Sequence, residues 1–331
     1  MTIKNRPNIL LIVLDACRKD KLSCYGYKKD TSPFLTEFCK KSIIFENAFA
    51  NAPWTLPSVT SIFTGLYPFE HRVLTEKNYL KKDKVTIAKI LKEKGYNTTL
   101  ITHNDCFVNK IYGTANGFND IWDTERIFFS YIPNFPKLKF KNYFFRKAYS
   151  LFNYSLGKIT GSSMGKATFN IYKKIIEKTK KPFFINVHLV DTHLPYNPPL
   201  KFQIFSHKKI ISPQYIPYTN RKLLGFYNNW YDKRQKQWAG LEEYDENEFL
   251  NLNHLYEAAI LYSDYQIQRL ITLLVENEII DDTLIIITSD HGENIGDYGT
   301  IDHMLDIHNT LLRVPLIIRY PPCFPEGFPL S

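Results

Sequence analysis

The chain has 331 residues, 44% hydrophobic and 15% aromatic, enough apolar material for a large core and too much for a disordered protein. Its formal net charge of +9 suits an anionic substrate, whereas its scattered basic residues, without a helix-turn-helix, zinc-finger or RNP pattern, argue against nucleic acid. Five cysteines, Cys17, Cys24, Cys39, Cys106 and Cys323, include no CxxC pair, which excludes a disulfide framework and a zinc knuckle.

Residues 1–6 lead straight into the first strand without a signal peptide's apolar segment. No run approaches the roughly twenty apolar residues of a membrane helix, so a cytoplasmic location is expected. Residues 9–14 are continuously apolar and rich in branched side chains, the pattern of a strand buried on both faces. Asp15 follows at its carboxyl end, where open α/β sheets bind ligands. Residues 32–38 begin a helix at Ser32-Pro33.

A second helix is expected after Thr55, with Pro57 in its first turn and Gly65 at its stop. Thr55 there has two readings. Its hydroxyl caps the helix, or the positive helix end and a metal ion lower its pKa so that it attacks an ester. Residues 85–91 predict another helix, followed by Gly95, a strand over 98–102 and, just beyond it, Asn104.

Residues 128–154 break this rhythm with Phe and Tyr interleaved with Lys137, Lys139, Lys141, Arg146 and Lys147. Aromatics packed on the core beneath solvated lysines are preferred there, with a lid or a lipid-facing surface as the alternatives. Residues 183–189 are apolar around His188, which is either a core histidine with one backbone partner or a substrate contact. His193 follows in a loop, and residues 201–244 form a second insertion that walls the cleft.

Leu255, Ala259, Tyr262, Leu270 and Leu274 recur at near-helical spacing. The strand over 283–288 then ends in Asp290-His291, as the first ended in Asp15. Each Asp, taken alone, reads as a helix cap. Together with an imidazole they read as ligands for Zn²⁺ or Mn²⁺, ahead of Mg²⁺ or Ca²⁺. Parallel pairing of the two strands would bring Asp15 and Asp290 together.

These stretches resemble the sulfatase branch of the alkaline phosphatase superfamily. The resemblance is carried by residues 7–18, 55–68, 188–196, 288–293 and 313–318, in the family's order. It implies an α/β fold, a doubly wound, mostly parallel sheet flanked by helices. It further implies Asp15, Asp290 and His291 as metal ligands and Thr55 as the nucleophile, whose oxygen also touches the metal. His193 matches a leaving-group acid, and His303 a basic group that contacts the transferred group or, in some relatives, a second metal. Arg18, His188 and Asn104 are weaker substrate-contact candidates.

Three departures qualify the resemblance. Sulfatases proper oxidise a Cys or Ser to formylglycine within Cys/Ser-x-Pro-x-Arg, but here Thr55 and Val59 stand in the Cys/Ser and Arg places. Threonine is not a substrate for that oxidation. Its presence resembles lipoteichoic-acid synthases and phosphoethanolamine transferases, which implies phosphoester chemistry. Ala16 replaces the second Asp of many calcium sulfatases. The chain also stops soon after Arg319, so residues 1–320 are expected to be the catalytic domain, with insertions at about 125–160 and 201–244. Residues 321–331 are then a Pro-rich tail, most of the usual C-terminal subdomain being absent.

The expectation is a metal-dependent hydrolase or transferase acting on phosphate esters of small molecules, glycans or lipid headgroups. A sulfuric ester hydrolase without formylglycine is the alternative, and an inactive binding homologue the reading of another class.

Overall fold

The protein is described from a computed structural model, which covers residues 6–131, 163–205, 236–237, 239–241, 244–304 and 306–324. In chain order its elements are β1 (Asn8–Leu14), α1 (Pro33–Cys39), β2 (Ile43–Ile44), β3 (Ala48–Phe49), α2 (Thr55–Thr64), α3 (Pro68–His71), α4 (Ile87–Glu93), β4 (Asn97–Thr102), β5 (Asp120–Trp122) and α5 (Thr124–Tyr131). They continue with α6 (Ser163–Lys178), β6 (Phe183–Leu189), α7 (Glu246–Glu276), β7 (Thr283–Ser289), β8 (Asn294–Ile295), β9 (Ile301–Asp302), α8 (Asn309–Leu312), β10 (Arg313–Val314) and β11 (Leu316–Arg319).

Seven strands form the main sheet in the order β2-β11-β7-β1-β6-β4-β5. The five from β7 to β5 are parallel, and β11 runs antiparallel beside β7. β1 shows why its sequence reads as an unbroken apolar run. Leu10, Ile12 and Leu14 pack into a core shared with α1, α6 and α7, while Leu11 and Val13 pack into a second core with Val59 and Phe63 of α2 and Ala88 of α4. Helices therefore cover both faces, and neither face of the central strand meets water. Leu255, Ala259, Leu270 and Leu274 of α7 join the first of these cores beside Ile285 and Ile287 of β7, as their spacing predicts.

Ser32 precedes α1 but makes no capping bond from its side chain. The cap comes from a distant residue, because Asp264 of α7 accepts from the amides of Phe34 at 2.9 Å and Leu35 at 2.8 Å. Burial raises the Asp264 carboxyl to about 7, although those two amides pull it down. A carboxyl raised above its unfolded value costs stability as pH climbs from the ordinary carboxylate range towards 7. Asp264→Asn is expected to cost less than about 1–2 kcal/mol at pH 8, because it removes the buried charge and keeps an acceptor for one of the two amides. Asp264→Leu should cost about 1–3 kcal/mol by orphaning buried amides. Denaturant unfolding of the two variants checks this.

Among the described residues no helix is long and apolar enough to cross a membrane. Residues 132–154, with the basic side chains named above, and residues 206–235 of the second insertion lie outside the described residues.

Candidate active site

The sheet register builds the centre. Leu14 is level with Leu189 of β6 and with Ser289 of β7, and Val13 with His188, so Asp15, His188 and Asp290 emerge side by side. Neither aspartate caps a helix. Asp15 leads into a turn in which Ala16 holds a left-handed backbone, φ 61°, and the Ala16 amide donates to Asp290 Oδ1 at 3.2 Å. A left-handed alanine is strained. It points an amide at the second carboxylate.

Thr55 is the first residue of α2. The N-cap position belongs to Trp54, whose extended backbone offers no side-chain cap, and Gly65 ends the helix in the left-handed conformation, φ 68°. The Thr55 hydroxyl is thus free of capping work. It lies 3.4 Å from Asp15 Oδ1 and 3.3 Å from His291 Nε2. His291 Nε2 is in turn 3.4 Å from Asp15 Oδ1 and 3.7 Å from Asp290 Oδ2. Donors sharing one tetrahedral ion at ~2.1 Å stand about 3.4 Å apart. The observed spacings match that edge.

Two further observations test the fit of a cation. Asp290 Oδ2 is buried and has no hydrogen-bond partner among the described residues, a costly state for a carboxylate oxygen unless a cation shares it. The His291 ring places Nδ1 2.8 Å from the Gly292 carbonyl. With its proton donated there, the Nε2 lone pair faces the carboxylates, the tautomer a ligand needs. Gly292 itself is required by close packing, since a Cβ there would meet the Thr310 carbonyl oxygen at 1.9 Å.

Asn104 and His188, expected at the substrate, make their contacts with Asp15. Asn104 Nδ2 donates to Asp15 Oδ2 at 2.7 Å, and His188 Nε2 lies 3.0 Å from the same oxygen. Together they fix the carboxylate, leaving Oδ1 towards Thr55. His188 is also close enough to Asp15 and Asp290 to share an ion with them. Arg18 is buried and donates to Asp20 at 2.7 Å, to Asp297, and to the Glu293 carbonyl at 3.2 Å. Its charge braces the loop from Glu293 to Asp297 against the turn after Asp15.

His193 is half-buried, with Nδ1 on the Leu194 carbonyl. Its ring stands edge-on to His303 at 4.9 Å between centroids, and His303 is 4.4 Å from His291. The three imidazoles form a row whose His291 end meets the Thr55 hydroxyl. His71 and His103 are spoken for: His71 Nε2 lies 3.1 Å from Ser61 Oγ, and His103 Nε2 lies 2.5 Å from Thr168 Oγ1. His308 precedes α8 and stacks on Tyr298. Sequence reading passed over Glu293 and Asp302, both of which contact His303. The doublet Asp302-His303 repeats Asp290-His291, a signal that could have drawn attention to it.

Burial would raise the Asp15 carboxyl, but the charge of His193 and hydrogen bonds from His188 and His291 hold it well below its usual range. Asp290 is raised, by burial and then by the Asp15 charge. Burial would lower His291, yet Asp290 and Asp15 raise it. Protons on His291 compete with any cation for Nε2, so metal affinity should rise with pH through the raised His291 range and level off above it. Zinc titrations between pH 5.5 and 8.5 that show no such increase would contradict this assignment.

A family model described as Sulfatase matches residues 7–327. The chain is 26% identical to iduronate 2-sulfatase of Mus musculus over 336 residues, covering 95% of this chain and 59% of that protein. It therefore spans about three fifths of that relative's length. Among solved structures, phosphonate monoester hydrolase of Agrobacterium radiobacter superposes with a TM-score of 0.72 at 21% identity, covering 98% of this chain and 69% of that one. The C-terminal periplasmic domain of EcEptC from Escherichia coli, in complex with Zn, superposes with a TM-score of 0.62 at 17% identity, covering 96% and 73%.

Proposed function

The chain belongs to the sulfatase family, and from that premise we propose that it cleaves phosphate esters, by hydrolysis or transfer, through the hydroxyl of Thr55. One observation carries the reading. The side chain beside Asp15 and His291 is a threonine hydroxyl, freed from helix capping, in the place where the family's sulfatases need an oxidisable Cys or Ser.

Asp15, Asp290, His291 and the Thr55 oxygen would hold a divalent ion, and their mixed oxygen and imidazole donors favour Zn²⁺ or Mn²⁺. When bound, the ion supplies Lewis-acid polarisation and charge neutralisation. Asn104 and His188 hold Asp15 in position from behind. Thr55 Oγ1, passing its proton to Asp15 Oδ1, attacks phosphorus and forms a phosphothreonine as the bond to the leaving oxygen breaks, and His193 gives that oxygen a proton. Water or an acceptor alcohol then attacks phosphorus and restores the threonine. His303 stabilises charge on the non-bridging oxygens, and the positive net charge draws the anionic ester in.

The relative named for a sulfate substrate favours a second reading, direct sulfate-ester hydrolysis by the unmodified threonine. Turnover of nitrophenyl phosphodiester, phosphomonoester and sulfate by zinc-loaded and manganese-loaded protein decides between them. Phosphoester turnover at least tenfold above sulfate turnover is expected. Faster sulfate turnover would establish the second reading, and no turnover of any ester would leave an inactive binding homologue.

A further inference from the structure

The turn from Asp15 to Arg18 is held by hydroxyls that come from α7, from the end of β7 and from the loop after β6. Thr192 Oγ1 donates to the Asp15 carbonyl at 2.7 Å, and Ser289 Oγ accepts from the Cys17 amide at 2.9 Å. The phenol of Tyr256, on α7, makes two bonds. It donates to the Ala16 carbonyl at 2.7 Å and accepts from the Arg18 amide at 2.8 Å. Tyr256, Ala16 and Cys17 are 0% exposed and Arg18 3%, so little solvent is at hand to replace that hydroxyl.

The two peptide planes that meet at Ala16 are therefore fixed from opposite sides. The plane before it carries the Asp15 carbonyl and the Ala16 amide, tied to Thr192 and to Asp290 Oδ1. The plane after it carries the Ala16 carbonyl and the Cys17 amide, tied to Tyr256 and to Ser289. Their relative rotation is the left-handed φ of 61°, which costs an alanine free energy unless its surroundings enforce it. The consequence reaches Asp290. Its Oδ1 accepts from the amides of Ala16 at 3.2 Å and His291 at 3.0 Å, which leaves Oδ2, without a hydrogen bond among the described residues, 3.7 Å from His291 Nε2.

We propose that Tyr256 is a positioning residue for the cation site: its hydroxyl, acting through the left-handed Ala16 turn, holds the Asp290 carboxylate in its ligand orientation. It touches neither substrate nor cation. The proposal rests on the cation site assigned to Asp15, Asp290 and His291. Without the hydroxyl, the Ala16 carbonyl and the Arg18 amide are buried and unpaired, and the turn gains by rotating out of the left-handed region. Only the molecules that keep the turn then bind an ion, so the apparent dissociation constant rises by the inverse of their fraction. Ala16→Gly takes the left-handed conformation without penalty and raises that fraction again.

Zinc affinity of the full chain, measured by competition with a chromophoric chelator and set beside melting temperature, tests the proposal. Tyr256→Phe keeps the ring packed against Tyr196, 5.0 Å between centroids, and should bind zinc about tenfold more weakly. The pair Tyr256→Phe, Ala16→Gly should return to within about threefold of the unmodified protein. Tyr25→Phe is the control for a merely structural loss, because the Tyr25 hydroxyl likewise donates to the Leu316 carbonyl at 3.0 Å and accepts from its amide at 2.9 Å. It should melt lower, as Tyr256→Phe does, yet keep zinc affinity within about twofold. Unchanged affinity in Tyr256→Phe, equal weakening in Tyr25→Phe, or no rescue by Ala16→Gly overturns the role of Tyr256 alone. An unmodified protein without zinc affinity overturns the cation site, and this proposal with it.

Discussion

Thr55→Ala should lose about 10³-fold or more of metal-dependent phosphoester turnover, the loss typical of removing a covalent nucleophile. The fold should survive, because Thr55 makes no capping bond and alanine is well tolerated at the start of a helix. Zinc should still bind through the two carboxylates and His291, which are the stronger donors. Thr55→Ser keeps the hydroxyl and should retain activity within about tenfold, since only a methyl group is lost. Steady-state kinetics beside bound-metal measurement separates a chemical from a structural effect. Full activity in Thr55→Ala would end the nucleophile assignment.

Asp290→Asn is expected to change stability in opposite directions with and without metal. In the metal-free protein Asp290 is fully buried, has an oxygen with no hydrogen bond among the described residues, and its charge adjoins that of Asp15. Its carboxyl is raised by burial and then by Asp15, so its ionisation weighs against folding. That cost begins as pH passes the ordinary carboxylate range and is complete above the raised value. The neutral asparagine avoids it. Metal-free Asp290→Asn should therefore melt above the metal-free parent at pH 8. Zinc at 1,000 times its dissociation constant would add about 4 kcal/mol to the parent, and little of that gain should remain in the variant. Calorimetry of both proteins, with zinc and with chelator, gives the four melting temperatures. Equal zinc-induced shifts would remove Asp290 from the ligand set.

Much of this was legible without coordinates, for a local reason. Unbroken branched apolar runs that end in Asp15 and in Asp290-His291 combine a buried parallel strand with a ligand at its carboxyl end. The α2 boundaries followed from Pro57 and Gly65 in the same way. Long-range partnerships were less legible. The cap of α1 comes from Asp264, 230 residues beyond Phe34, and nothing near Ser32 announces it. Arg18 read as a substrate contact, whereas it pairs with Asp20 two residues on and with Asp297, 279 residues away. Asn104 and His188 read as substrate contacts, and only the pairing of β1 with β6 and β6 with β4 sets them around Asp15.

The sequence by itself therefore determined the strands over 9–14, 98–102 and 283–288 and the helix that carries Thr55, and it supplied the candidate cation ligands, because periodicity and turn chemistry act over a few neighbours. Tertiary structure decided which oxygen each donor faces, that the Thr55 hydroxyl serves no cap, and that Glu293 closes on His303 beside Asp302. Those outcomes depend on strand register and on charge burial between segments as much as 279 residues apart, which no local pattern encodes.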